Sequence, residues 1–115
     1  MVENHHGSAC LPLQTSDAVY DRERNIGGPY WEGAALWREQ SPIYFAGQLQ
    51  TPMLVTIGEK DYRVPINNTF ELWTALQRQN VPSRLIVFPE ANHWIMKGED
   101  SRFFYSEVHA WHAKY

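Results

Sequence analysis

Two side chains of the 115-residue chain, Asp61 and His93, are of types that together perform acid–base chemistry. Each residue follows a short apolar segment of the sequence, residues 53–57 for the acid and residues 84–88 for the base. A carboxylate can hold one tautomer of an imidazole and stabilise its charged form, while the imidazole takes a proton from a nucleophile. The two residues therefore predict the acid and the base of a hydrolase catalytic triad.

The two apolar segments predict the strands that position this pair. Residues 53–57, Met-Leu-Val-Thr-Ile, lie between Pro52 and Gly58, which is typical of a buried strand. Residues 84–88, Arg-Leu-Ile-Val-Phe, form the second segment and are followed by Pro89. The acid and the base then each fall in the loop after a strand.

The segment between the strands has the periodicity of an amphipathic helix over residues 66–79. Its apolar side chains recur at helical spacing, at Ile66, Phe70, Leu72, Trp73 and Leu76. Asn68, with Glu71 three residues later, is predicted to cap the start of this helix.

A strand, a helix and a second strand together predict a β-α-β unit. The right-handed crossover of such a unit makes its strands parallel and brings both following loops to one edge of the sheet. Ligands bind at this edge in open parallel sheets. The alternative is that Asp61 is only a turn residue and His93 only a loop histidine.

Several motifs occur in the order and at the spacing of one peptidase family. They are Thr-Pro-Met at 51–53, Gly-Glu-Lys-Asp-Tyr-Arg-Val-Pro at 58–65, Ala-Leu-Gln at 75–77, Val-Pro at 81–82 and Phe-Pro-Glu-Ala-Asn-His-Trp at 88–94. Upstream are Gly-Gly-Pro-Tyr-Trp-Glu at 27–32 and Ser-Pro-Ile-Tyr at 41–44. Residues 26–115 thus resemble the end of the peptidase domain in the prolyl oligopeptidase family, above all its acylaminoacyl-peptidase and dipeptidyl-aminopeptidase branches.

The resemblance implies an α/β fold, consisting of the last parallel strands and helices of an α/β-hydrolase sheet. It also implies a serine nucleophile, with the family's triad Asp at Asp61 and its triad His at His93. The order of Asp before His fits the α/β-hydrolase order of Ser, Asp and His. The chain departs from the family because it contains no Gly-x-Ser-x-Gly motif, so the serine and its oxyanion-hole donors have no counterpart.

Residues 1–25 are polar and lack sustained periodicity. We expect them to form an irregular leader, either altered or derived from an expression vector, ahead of a domain of residues 26–115. Ser8 follows one glycine but no apolar strand, and Cys10 is the only cysteine. Either could be a substitute nucleophile, but neither lies in a nucleophile elbow, and we expect neither to act as one.

The remaining elements predicted from the sequence are two helices. A short helix is expected around residues 31–39. The last helix is expected to begin near Asp100 or Ser101 and to run to the end of the chain. One apolar stripe of this helix is formed by Phe104, Val108, Trp111 and Tyr115.

Composition restricts the classes of function. The net charge of −3, with acids and bases interspersed, argues against nucleic-acid and anionic-membrane partners. No apolar run approaches the roughly 20 residues of a membrane span, and no secretory signal pattern is present. The single cysteine excludes an internal disulfide and favours the cytoplasm.

Histidine pairs raise the question of a metal site. His5 with His6, and His109 with His112, have spacings found among metal ligands. Zinc sites in proteins use three or four protein ligands, and neither pair has suitable partners in the sequence. No metal and no cofactor is therefore expected.

Two functions of different classes remain open from the sequence. The first is a fragment of a prolyl-oligopeptidase-type serine peptidase that carries Asp61 and His93, is inactive alone, and meets peptide substrate only when the missing half-domain is supplied. The second is a non-catalytic remnant or interaction module that forms homo-oligomers through an exposed sheet edge.

Overall fold

The computed structural model describes residues 16–115 of the chain. The elements follow one another as helix α1 (Val19–Ile26), helix α2 (Ala34–Glu39), a 3₁₀ segment (Pro42–Gln48), strand β1 (Met53–Gly58), helix α3 (Ile66–Arg78), strand β2 (Ser83–Phe88) and helix α4 (Gly98–Lys114). Helices and strands alternate in the second half of the chain, as an α/β fold requires.

Strands β1 and β2 pair in parallel, as predicted. The register runs from Met53 opposite Ser83 to Gly58 opposite Phe88, so the two strands end level with each other. Helix α3 lies between them in the chain and completes the predicted β-α-β unit. The loops that carry the candidate acid and base therefore leave the sheet side by side.

Apolar side chains on alternate positions of the strands pack on opposite faces of the sheet. On one face, Val55 of β1 packs with Leu76 of α3 and with Val81. On the other face, Phe88 of β2 is buried, and Phe104 of α4 packs against this cluster. Leu76 is fully buried, which stabilises the fold by about 1.5–3 kcal/mol. Helices on both faces thus fix the two strands.

Helix α3 matches the predicted segment, but its start differs in detail. Pro65 occupies the N-cap position with ψ 141°, and the helix makes no side-chain capping bond. The predicted cap by Asn68 is wrong because Asn68 is already inside the helix, where its N–H donates to the Pro65 carbonyl. The ring of Pro65 fixes its own φ at −56° and offers no side-chain oxygen to accept a backbone N–H, so the helix begins without a polar cap.

Helix α4 begins two to three residues before its predicted start at Asp100 or Ser101. Lys97 is the N-cap in an extended conformation, and the N–H of Ser101 donates to its carbonyl at 2.8 Å. Glu99 and Asp100 lie in the first turn, where the helix dipole favours negative charge. Of the predicted apolar stripe, the first three residues are half-buried and Tyr115 is exposed.

The first described residues differ from the expected irregular leader. Residues 19–26 form helix α1, which ends at Gly27 with φ 102°, a left-handed conformation that glycine adopts without strain. Residues 1–15, including Ser8 and Cys10, lie outside the described residues. The division of the chain after residue 25 stays a prediction.

The short helix predicted around residues 31–39 is confined to α2, because residues 30–32 form a turn and residue 33 a bend. Trp37 of α2 is fully buried. Its indole N–H donates to the carbonyl of Gly28 at 2.9 Å. The one polar group of this buried side chain therefore has a hydrogen-bond partner.

Candidate active site

Asp61 lies in the turn directly after β1, and hydrogen bonds fix both its backbone and its side chain. Its backbone N–H donates to the carbonyl of Gly58 at 3.1 Å. Its side chain is only 5% exposed. The Oδ1 atom accepts the backbone N–H groups of Arg63 and Val64, both at 2.9 Å. These bonds compensate for the burial of a carboxylate and fix its plane.

The second carboxylate oxygen meets His93, as expected from the two strand-end positions. Asp61 Oδ2 lies 2.9 Å from His93 Nδ1. An ionised carboxylate only accepts hydrogen bonds, so Nδ1 carries the proton and donates it to Asp61. Nε2, across the ring, is then the nitrogen that can accept a proton from another group. The imidazole is 44% exposed, so it is accessible from outside the fold.

The two loops lie in direct backbone contact at Gly58. A Cβ atom at this position would come closer than van der Waals contact to the carbonyl oxygens of Ala91 and Asn92. The N–H groups of Glu59 and Lys60 donate to the carbonyls of Phe88 and Ala91, at 2.9 and 3.0 Å. From the sequence, Gly58 was predicted only to end the strand, and a glycine three residues before the acid was the available signal for this close approach.

An ion pair joins the same loops at the surface. Lys60 Nζ lies 2.5 Å from Glu90 Oε2, with both side chains exposed. The hydrogen bond from Lys60 lowers the pKa of Glu90 below its usual 4.5. The contribution of this ion pair to stability is therefore present above pH 4.5 and is lost as the pH falls through the lower pKa of Glu90 in the folded protein. Its exposure makes it a minor contribution beside the backbone contacts.

A cleft of about 460 Å³ opens beside the pair and is lined by both Asp61 and His93. Its walls carry large apolar side chains that are exposed, with Trp94 at 68%, Met96 at 79% and Tyr105 at 59%. The indole of Trp94 also meets the His93 ring edge-on, with 5.5 Å between ring centroids. The base thus borders a concave apolar surface of the kind that holds small molecules or peptides.

Between Ser16 and Tyr115, no group of three His, Cys, Asp or Glu side chains is placed to hold a metal ion. Across that same range, none of the helices has the length and apolar character needed to traverse a bilayer.

Comparison with known proteins shows the family. Residues 8–115 match the Prolyl oligopeptidase family. Dipeptidyl-peptidase 5 of Aspergillus fumigatus is 32% identical over 115 residues, which cover 97% of this chain and 16% of that protein. The chain belongs to the prolyl oligopeptidase family. The match begins at residue 8, further towards the N-terminus than the resemblance recognised from residue 26 onward.

Solved structures show the same fold. Dipeptidyl peptidase 4 of Porphyromonas gingivalis is 26% identical with a TM-score of 0.72, covering 83% of this chain and 13% of that one. An acylaminoacyl peptidase of Pyrococcus horikoshii, at 18% identity, also gives a TM-score of 0.72, covering 86% and 17%. The predicted partial α/β-hydrolase fold is confirmed, and the chain corresponds to about one sixth of the length of such relatives.

Replacing Gly58 with alanine tests the contact between the loops. The added methyl group would overlap the backbone of the His93 loop, so we expect Gly58→Ala to lower the free energy of unfolding by about 1–3 kcal/mol. Urea denaturation followed by circular dichroism measures this change. Gly47→Ala is the matched control, because no atom lies within 4 Å of a Cβ at Gly47. Equal stability of the two variants would contradict the close approach at Gly58.

Proposed function

We propose that this chain supplies the acid and the base of a serine-peptidase catalytic triad, Asp61 and His93. The observation that carries the proposal is the 2.9 Å contact between Asp61 Oδ2 and His93 Nδ1 at the carboxyl edge of a parallel sheet. Membership of the prolyl oligopeptidase family gives this contact a chemical context.

The geometry suits the two roles. Asp61 is buried, and two backbone N–H groups hold its Oδ1, so Oδ2 is directed at the imidazole. The carboxylate fixes the tautomer with the proton on Nδ1 and stabilises the imidazolium that forms when Nε2 accepts a proton. His93 would take that proton from the hydroxyl of a serine and later give it to the leaving amine of the peptide.

The nucleophile of this proposal is not among the 115 residues, because the sequence contains no Gly-x-Ser-x-Gly motif. We therefore assign the serine and the oxyanion-hole donors to a separate part of the catalytic unit. The substrate class follows from the relatives, whose names describe dipeptidyl and acylaminoacyl peptidases. A polypeptide of these 115 residues by itself is expected to hydrolyse nothing.

A chimaera tests the proposed roles. In Dipeptidyl-peptidase 5 of Aspergillus fumigatus, the segment that matches this chain is replaced by residues 8–115. We expect the chimaera to react with a fluorophosphonate probe and to hydrolyse dipeptide substrates. Asp61→Asn should lower kcat by about 10³- to 10⁴-fold, because the amide no longer favours the required tautomer. His93→Ala should abolish labelling.

Two controls make the result specific. Asp21→Asn makes the same chemical change at an exposed position on α1 and should leave kcat unchanged. The 115-residue chain, treated with the same probe, should remain unlabelled. A folded chimaera whose kcat is the same in wild-type and Asp61→Asn forms would contradict the role of Asp61, and labelling of the isolated chain would contradict the assignment of the serine elsewhere.

A second candidate function is a non-catalytic module that associates with copies of itself. The observation that favours it is the free edge of β1, which within residues 16–115 pairs only with β2. Unpaired strand edges are templates for pairing with another chain. The exposed Trp94 and Met96 add apolar surface of the kind that self-association buries.

Light scattering across a dilution series tests this candidate. If β1 pairs with β1 of a second copy, the purified chain should have the mass of a dimer at micromolar concentration. Thr56→Pro, which removes a backbone donor in the middle of β1, should shift the protein towards monomer. A wild-type monomer at all concentrations would exclude this candidate.

A further inference from the structure

The segment before α1 contacts the loop of the candidate acid, although the two are far apart in sequence. The hydroxyl of Ser16 donates to the carbonyl of Arg63 at 2.5 Å, across 47 residues. The backbone N–H of Asp17 donates to the carbonyl of Tyr62 at 2.8 Å. Ser16 is only 6% exposed, and its Oγ also accepts the N–H of Ala18 at 3.0 Å. Ser16 is therefore fixed as both donor and acceptor.

The two carbonyls that this segment binds belong to the same peptide groups that hold Asp61. The Tyr62 carbonyl and the Arg63 N–H form one peptide group, and the Arg63 carbonyl and the Val64 N–H form the next. Both of these N–H groups donate to Asp61 Oδ1 at 2.9 Å. Two hydrogen-bonded chains thus run from the segment, through a peptide group each, to one carboxylate oxygen.

Hydrogen bonds in such chains strengthen one another. A donor bound at a peptide carbonyl polarises that peptide and makes its N–H a stronger donor. Because each peptide group is planar, a bond at its carbonyl also restricts the direction of its N–H. With Oδ1 of Asp61 held in this way, Oδ2 is left for His93 Nδ1.

We propose that Ser16 is a positioning residue for Asp61, and that it acts with the Asp17 N–H through the two peptide groups around Arg63. The importance of this role for catalysis rests on the proposed function of Asp61. The hydrogen-bond chain itself stands on the contacts of the folded chain and is testable without any hydrolysis.

An ion pair also joins this segment to the loop of Asp61, and it contributes less to holding the loop than the hydrogen bonds do. Asp17 Oδ1 lies 2.8 Å from Arg63 Nε, and both side chains are about half exposed. Exposed pairs of this kind contribute little to stability. Asp17→Asn removes the ion pair and keeps the backbone N–H of residue 17, so it separates the two contributions.

Hydrogen exchange and NMR of the 115-residue chain test the proposal. In Ser16→Ala, the backbone N–H groups of Arg63 and Val64 should exchange about five- to tenfold faster, as expected for the loss of one hydrogen bond. The Nδ1–H resonance of His93 should weaken or shift. Ser16→Thr, which keeps the hydroxyl, should restore both. The N–H groups of β2 should exchange at the wild-type rate in every variant.

The matched control is Ser106→Ala. It removes a hydroxyl that donates to the carbonyl of Phe103 on α4 at 2.9 Å, far from Asp61 in the chain, and should change neither signal. Asp17→Asn should also leave both near the wild-type values. The proposal is overturned if Ser16→Ala leaves Arg63 and Val64 exchange unchanged, or if it accelerates β2 equally. This outcome differs from an inactive chimaera, which would count against Asp61 as the catalytic acid and not against its hydrogen bonds.

Discussion

The level, parallel pairing of β1 with β2 is the constraint on which the rest of the site depends. Because Gly58 lies opposite Phe88, the two strands end side by side and their loops leave the sheet together. The missing side chain of Gly58 then lets the backbone of Ala91 and Asn92 pass directly over it. A slip of one residue would reverse the faces of the strand side chains and separate Asp61 from His93.

The site combines a rigid acid with an accessible base. Asp61 is almost fully buried and accepts three hydrogen bonds, whereas His93 is 44% exposed beside an apolar cleft. Burial strengthens the electrostatic effect of the carboxylate on the imidazole. Exposure lets Nε2 meet a group from outside this part of the fold. This division suits the proton transfer that we propose for the pair, with a nucleophile from another part of the catalytic unit.

The sequence predicted the strands, the parallel unit and the contact between Asp61 and His93, because each depends on local patterns and on the handedness of β-α-β units. The bond made by Ser16 could not be predicted in the same way. The bond from Ser16 spans 47 residues and arises only on folding. The predicted cap at Asn68 was wrong because Pro65 starts the helix without a polar side chain. Capping motifs indicate a helix start without specifying its residue.

Measuring the tautomer of His93 is the most direct test of the pairing between Asp61 and His93. Nitrogen-15 NMR of the labelled 115-residue chain, at a pH where the ring is neutral, distinguishes a proton on Nδ1 from a proton on Nε2. The contact with Asp61 Oδ2 predicts the form with the proton on Nδ1, and it predicts that Asp61→Ala loses this preference. A wild-type chain with the proton on Nε2, or with the same mixture as Asp61→Ala, would contradict the account.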